Sequence, residues 1–534
     1  MAGEAEPLPA EELARALELY LAEHPETVVL EDGKALFYFR EGGAKYALDL
    51  GRGRCVLQMW SEERNVVRRV TGMRVRKQSL LLETRRLGQS KPGMMELTDA
   101  MASRAPSERK VQRTRYLRVL ERVASRQFGD WKLAPLRATP DLEHSFGPAH
   151  ARSEMTRGTS AFALLGVGAC ESPETIDGAL TAGILWLALL RERAGARKLV
   201  EGLRLIVPAG MAAVTAARLA WMDTAQAKWE LWELDETLEE MARVEPAMGG
   251  NVATRLLQAP QEERVREKFA TEIARIMEIA PECEIRVVGV AEVAFSLHGL
   301  VFARAAMDAE AATFARSKRL TFGAGANETE LSAETEPLLR SMLGRLTKSR
   351  TADGHIGDPL YRMQAEAWLE SQVRRDVSVL DSELAAAPVY SQRTLFAGAS
   401  ERGMPDLIAK TRSGRLAVIE LKAQEDMQLA MQGLDYWMRV RQLHMSSTES
   451  EFMRMGYFPG LHVTKEDPQL VLAAPALRIH PAVEVVLRHL SPRVPWQLIA
   501  VDERWRKDLA VVWRKRSGTK SVRPSESESS GNTL

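Results

Sequence analysis

Gly403-Met-Pro-Asp406-Leu-Ile-Ala-Lys-Thr-Arg-Ser-Gly414-Arg-Leu-Ala-Val-Ile-Glu420-Leu-Lys422 is the stretch from which the rest of the chain is read. Leu407-Ile-Ala409 is a short apolar run, and Thr411-Arg-Ser-Gly414 is a turn cluster with a glycine where a positive φ is needed. Leu416-Ala-Val-Ile419 is a second apolar run with no polar alternation, which predicts a strand buried on both faces. Asp406 stands before the first strand and Glu420 ends the second, so hairpin pairing brings both carboxylates to one end of a sheet. Lys422 follows Glu420 by two residues and shares its face, with Leu421 pointing the other way.

Two carboxylates converging beside one lysine repel each other unless a cation joins them. A hard, oxygen-seeking ion such as Mg²⁺ suits such a set, because it takes one or two carboxylates and completes its shell with waters and substrate phosphate. Downstream, Gln428 to Leu443 predicts a helix lying behind the hairpin, with Gln432 and Tyr436 one turn apart on one face and Arg439 adding positive charge.

Gly403-x-x-Asp406, Glu420-x-Lys422 and Gln432-x-x-x-Tyr436, in that order on a hairpin and the helix behind it, resemble the PD-(D/E)XK nuclease superfamily, in particular its RecB-type branch. The resemblance covers residues ~355–517. It implies an α/β (α+β) fold whose C-terminal part is a restriction-endonuclease-like core, a mixed sheet flanked by helices. It implies Mg²⁺- or Mn²⁺-dependent hydrolysis of phosphodiester bonds, with Asp406, Glu420 and the carbonyl of Leu421 as metal ligands. Lys422 would orient or deprotonate the attacking water, or stabilise the phosphate. Gln432 and Tyr436 would reach the metal-bound water or the substrate. Related nucleases place a glutamate from the first helix of the domain near the metal; Glu370 is the choice here and Glu366, four residues earlier on the same face, the rival. DNA is the expected substrate and RNA the alternative. From a different class comes a non-catalytic nucleic-acid-binding or scaffold protein built on nuclease-like domains, which a cleavage assay with Mg²⁺ or EDTA separates.

At 534 residues the chain is long enough for several domains. A net charge of +1 means that nucleic-acid affinity must come from local patches. Cys55, Cys170 and Cys283 are too few and too far apart for a disulfide framework or a zinc spacing, which fits a reducing, cytoplasmic setting. The acidic start, Met-Ala-Gly-Glu-Ala-Glu-Pro, lacks the apolar core of a signal peptide, and no long charge-free apolar run predicts a membrane span.

Residues 1–100 read as a small antiparallel β domain with an N-terminal helix over 9–24. Its arginine-rich strand, Arg64 to Lys77, carries Arg68, Arg69, Arg74 and Arg76, which could contact a phosphate backbone. Residues 88–108, without periodicity, read as a linker or long loop. A basic helix follows from Arg109, with Arg113 and Arg118 on its charged face and Tyr116, Leu117, Leu120 and Val123 forming an apolar stripe. Asp141, Glu143 and His144 crowd together, but a strand would put His144 on the opposite face, and the segment reads as an ordinary loop or strand rim.

From Phe162 to Leu234 the chain runs strand, helix, strand, helix, strand, the same order as from Leu416 to Ala500. Residues 109–245 are therefore read as a degenerate α/β copy of the C-terminal core, with Gly-Val-Gly-Ala expected where Glu420 and Lys422 would fall. Residues 246–354 form a connecting α/β region, with one helix over 260–278 and His298 as a turn residue. Residues 355–517 hold the nuclease-like domain, which is expected to begin with a helix over Tyr361–Arg374 and a core strand over Val389–Phe396. Residues 518–534 are expected to be disordered.

Overall fold

The computed structural model describes residues 9–518 apart from 25–26, 32–33, 40–43, 52–53, 62–64, 77–78, 86–92, 100–104, 142, 248–253, 308–317, 324–328, 392–395 and 399–404. The chain is mixed α/β with several sheets. Among the described residues no helix is long and apolar enough to cross a membrane, and the three cysteines are unbonded. The expectation for the C-terminal tail falls outside the described residues.

The N-terminal unit lays α1 (Ala10–Glu23) on an antiparallel sheet of β1 (Thr27–Glu31), β2 (Lys34–Tyr38), β3 (Lys45–Gly51), β4 (Arg54–Trp60), β5 (Asn65–Arg76), β6 (Ser79–Arg85) and β7 (Gly93–Asp99). The strand order is β2-β1-β7-β6-β5-β4-β3. Leu13, Leu17 and Leu21 recur at helical spacing and are buried with Leu57, Met59 and Leu82. The linker expected over 88–108 is thus corrected. Gly93–Asp99 is a central strand, in which Met95 and Leu97 are buried while Met94, just before them, turns outward. Strand alternation also corrects Arg68. It shares the inner face with Val66 and Val70, is 2% exposed, and pairs through Nε with Glu31 at 2.9 Å. A contact between β5 and β1, three strands apart, requires the sheet to curl.

The first lobe runs α2 (Ala105–Gln127), β8 (Lys132–Leu133), β9 (Ala151–Arg157), β10 (Ser160–Gly166), α3 (Pro173–Asp177), α4 (Ala179–Ala194), β11 (Leu199–Pro208), α5 (Ala213–Leu219), β12 (Lys228–Asp235) and β13 (Glu240–Val244). A connecting unit follows: β14 (Thr254–Leu256), α6 (Glu262–Lys268), α7 (Ala270–Ile279), a five-stranded antiparallel sheet of β15 (Glu284–Gly289), β16 (Glu292–Leu297), β17 (Leu300–Met307), β18 (Lys318–Phe322) and β19 (Thr329–Glu330), then α8 (Glu336–Ser349). The single helix expected over 260–278 is broken at Phe269, whose side chain is buried in the core of this unit.

The second lobe runs α9 (Pro359–Arg362), α10 (Ala365–Arg375), β20 (Tyr390–Ser391), β21 (Phe396–Gly398), β22 (Leu407–Lys410), β23 (Leu416–Leu421), α11 (Leu429–Met445), α12 (Glu451–Arg454), β24 (Gln469–Pro475), α13 (Pro481–Arg488), β25 (Trp496–Val501) and β26 (Val511–Arg516). Two expectations are corrected. Gln364 takes a left-handed φ of 47° and separates α9 from α10, so Tyr361–Arg374 is not one helix. Of the described residues in the strand expected over Val389–Phe396, Tyr390–Ser391 joins the core sheet, while Phe396–Gly398 pairs with β14.

The two lobes share one topology. The sheets β8-β9-β10-β11-β12-β13 and β20-β22-β23-β24-β25-β26 each begin with two antiparallel pairings, continue with two parallel ones and end antiparallel. Helices α4 and α11 make the first crossover, α5 and α13 the second. The lobes meet reciprocally: α4 packs on α13, and α11 on α5. At the centre the Asp223 amide donates to the His489 carbonyl and the Ser491 amide to the Trp221 carbonyl, both at 2.8 Å, around a bridge between Met222 and Leu490. Such exchange between corresponding loops is the signature of a two-fold interface, here within one chain. Being covered by its own sheet and by the other lobe, α4 is apolar on nearly every side.

Candidate active site

The hairpin forms as its sequence dictates. Leu407 faces Ile419 and Lys410 faces Leu416 across β22 and β23, and Gly414 in the turn has φ 102°. β23 is buried along its whole length because α10 covers one face and α11 the other, while β22 and β24 flank it. Ala417, Ile419 and Leu421 point to the α10 side, whereas Leu416 and Val418 point to the α11 side, and Glu420 with them.

Glu420 is 2% exposed. Its Oε1 lies 3.5 Å from Lys422 Nζ, and its Oε2 is buried without a hydrogen-bond partner. Asp406 accepts the Leu421 amide at Oδ2, 2.8 Å away, which ties it to the end of β23 beside Glu420. Extending the hairpin register by two residues sets Pro405 opposite Leu421, and a proline has no N–H to give the Leu421 carbonyl. Lys422 also lies 3.7 Å from Glu366 on α10, while Glu370 one turn later pairs with Arg286 of β15 at 3.5 Å. Asp406, Glu420, Glu366 and Glu370 thus face Lys422 and Arg286, a net of two negative charges when all are ionised.

The titration of these groups follows from burial first and like charge second. Desolvation and then Glu370 push Asp406 up to about 7, against the Leu421 amide and Lys422. Desolvation and then Asp406 raise Glu420 well above the usual carboxylate range. For Lys422 burial works towards the neutral form, but Glu420, Glu366 and Asp406 outweigh it and hold the ammonium charged. Tyr436 on α11 is raised by burial and then by Glu420 and Asp406, with Arg439 opposing, so its hydroxyl stays protonated close to both carboxylates. One turn earlier, Gln432 keeps a buried Oε1 without a partner.

Asp406, Glu420, Lys422, Tyr436 and both first-helix glutamates are brought together, while Gln432 stands one helical turn before Tyr436. Gly403 lies outside the described residues. Arg286 was not anticipated. Its signal was a basic residue inside the apolar run Ile285–Val290, but only the docking of β15 on α10, where Glu284 pairs with Arg374 and Arg375, gives that charge a target. Among the described residues no group of three or more His, Cys, Asp or Glu side chains is placed to hold a metal ion. The donor chemistry nevertheless fits a hard divalent cation: a buried carboxyl with an orphaned oxygen and a half-buried one, beside a carbonyl.

The basic residues expected to contact nucleic acid are scattered. Arg439 lies by the site. Arg69 and Arg74 are partly exposed on β5, Arg118 is exposed on α2, and the side chain of Arg76 lies outside the described residues. Arg68, salt-bridged inside the N-terminal unit, cannot reach a phosphate. Arg113 is held by both oxygens of Glu171, at 2.5 and 2.8 Å, and is not a free cation either. Asp141 accepts from its own turn neighbour His144 at 2.9 Å, a local contact and not a ligand set.

The matching topology permits a residue-by-residue reading of the first lobe. The Val167 amide donates to Ile206 as the Lys422 amide donates to Ala473, both at 3.0 Å. Lys422 therefore corresponds to Val167 and Glu420 to Leu165, one place from the expected Gly-Val-Gly-Ala, because the strand ends later than its apolar run suggests. Asp406 corresponds to Arg152, which faces Leu165 across β9 and β10. A Cβ on Gly183 would meet Leu203 at 2.7 Å, and one on Gly433 would meet Leu472 and Leu470 at 2.5 and 3.2 Å. These close approaches align Gln432 with Ala182 and Tyr436 with Trp186. Every polar residue of the motif set is thus replaced in the first lobe.

Comparison with protein-family models, with curated proteins and with solved structures returns no match to this chain.

Proposed function

We propose that the protein is a metal-dependent nuclease of the PD-(D/E)XK type, hydrolysing phosphodiester bonds of DNA at the end of β22 and β23. The observation that carries this reading is the buried Oε2 of Glu420, without a donor, next to an Asp406 that burial and Glu370 have pushed to about 7. Carboxyls so placed are costly unless a cation and its ligands complete the site. Asp406, Glu420 and the Leu421 carbonyl would hold one Mg²⁺ or Mn²⁺. When bound, such an ion acidifies water and offsets charge on phosphate oxygens.

The remaining work falls to the side chains. Lys422, kept charged by its carboxylate neighbours, acts as an electrostatic clamp on the scissile phosphate and not as a general base. Tyr436, close to the same carboxylates on α11, and Gln432 one turn before it orient water or a phosphate oxygen. Glu366 positions Lys422, and Arg286 holds Glu370. The first lobe descends from the same core in this reading and does not cut, since Arg152, Leu165 and Val167 stand where two carboxylates and a lysine are needed.

The test is cleavage of plasmid and single-stranded DNA, and of RNA, with Mg²⁺ or with EDTA. Cleavage that needs the ion and is lost in Asp406→Asn and Lys422→Ala supports the reading. Equal cleavage by both variants, or none by the native chain on any of these substrates, removes it.

A further inference from the structure

The first lobe holds a cavity of about 370 Å³ between α4 and the edge of its sheet, a volume in the range of small-molecule sites. Its lining includes Arg137, Arg152, Arg193, Arg197, Lys198 and Trp186. The single lining carboxylate among the described residues, Glu154, is already taken by Lys198 at 2.9 Å. Among the described residues no carboxylate forms an ion pair with Arg137, Arg193 or Arg197, so the cavity carries an uncompensated positive field.

Arg152 is the unusual member. It is 5% exposed, and its guanidinium lies 4.3 Å from the centre of the Phe146 ring and 5.9 Å from that of Trp186. Nη2 donates to the Thr139 carbonyl at 2.6 Å, while Nη1 is buried with no partner. Burial pushes this guanidinium below its usual value, and Arg193 and Arg137 add repulsion against the attraction of Asp141. A buried cation with an orphaned donor beside further arginines is stable only at a cost that a bound anion would remove. Arginine forks match phosphate oxygens in particular. Across the pseudo-two-fold, Arg152 and Trp186 occupy the places of Asp406 and Tyr436.

We propose that the cavity lined by Arg137, Arg152, Arg193 and Arg197 is a binding site for a phosphate ester of nucleotide size, either a free nucleotide or one unit of a nucleic-acid strand. The site that takes a cation in one lobe has become, in the other, a site whose fixed cation takes the anion directly. Trp186 and Leu190 give it an apolar wall. The cavity rests on its own residues and stands even if the second lobe does not cut.

Isothermal titration of the full chain in EDTA decides it, since chelation leaves no divalent ion at the carboxylate site to take phosphate. The probes are pyrophosphate, thymidine 5′-diphosphate and a short single-stranded thymidine oligonucleotide. Binding of the diphosphates assigns the site to free nucleotides, and binding of the oligonucleotide alone assigns it to a strand. In either case Arg193→Gln with Arg197→Gln, both exposed and removable without unfolding, should weaken binding by about tenfold or more, and Arg152→Gln should weaken it further. Asp406→Asn should leave it unchanged. No binding of any probe, or equal affinity in the Arg193 and Arg197 double variant, overturns the proposal.

Discussion

The Leu421 amide donates to Asp406 Oδ2 at 2.8 Å, so the residue before one strand is fastened to the end of the next, beside Glu420. An asparagine at 406 keeps an acceptor for that N–H but not the charge. Asp406→Asn should therefore fold with an unchanged circular dichroism spectrum and lose metal-dependent cleavage. Asp406→Ala leaves the amide unpaired and should cost about 1–3 kcal/mol of stability in addition, measurable by urea denaturation.

Lys422→Ala removes the one ammonium among these carboxylates. The expected loss is roughly 10²–10³-fold in kcat, the usual effect of deleting one electrostatic stabiliser. Lys422→Arg keeps the charge and should recover part of it. Recovery by arginine separates the clamp role from that of a general base, which arginine cannot serve.

Asp406 sits at about 7 in the folded chain, above its unfolded value of about 3.9. The folded state then binds more protons than the unfolded state between those limits. Without divalent ions, stability should fall as pH rises from about 4 through about 7, and fall further as Glu420, held well above the usual carboxylate range, loses its proton in turn. Divalent-ion affinity should run the other way, rising over the same interval because the ion competes with the Asp406 proton. Glu370→Gln, by removing a like charge, should move both transitions to lower pH. Denaturation profiles and calorimetry with Mn²⁺, in buffers of different ionisation enthalpy, read these effects.

Arg218 of the first lobe pairs with Asp435 of the second at 2.7 Å, with the Arg218 side chain 7% exposed. Beside it Trp221 and Trp437 meet edge to face, their centroids 4.8 Å apart. Arg218→Ala should destabilise the chain by about 3 kcal/mol, the lower end for breaking a buried pair, because Asp435 keeps some contact with water. If the lobes form one cooperative unit, a single denaturation transition should shift as a whole.

Local sequence carried much of this. Short apolar runs, a glycine turn and the single residue between Glu420 and Lys422 were enough to place the hairpin and its carboxylates. The repeated order of elements anticipated the matching topology of the lobes. Boundaries failed where tertiary contacts decide: Gly93–Asp99 looks like a loop until β1 and β6 flank it, and Phe269 splits a regular helical pattern because its ring is drawn into a core. Arg68 looked like a surface cation because nothing nearby in sequence announces Glu31, thirty-seven residues earlier. Arg152 was invisible for the same reason, since its meaning depends on a register shared with Asp406.

The central claim is that a divalent ion belongs between Asp406 and Glu420, and the most direct measurement is the anomalous signal of Mn²⁺ in crystals of the native chain. The account predicts a peak bounded by the Asp406 and Glu420 carboxylates and the Leu421 carbonyl, absent in Asp406→Asn. A native crystal with Mn²⁺ bound elsewhere, or with Lys422 Nζ and protonated carboxyls filling that space at neutral pH, would contradict it.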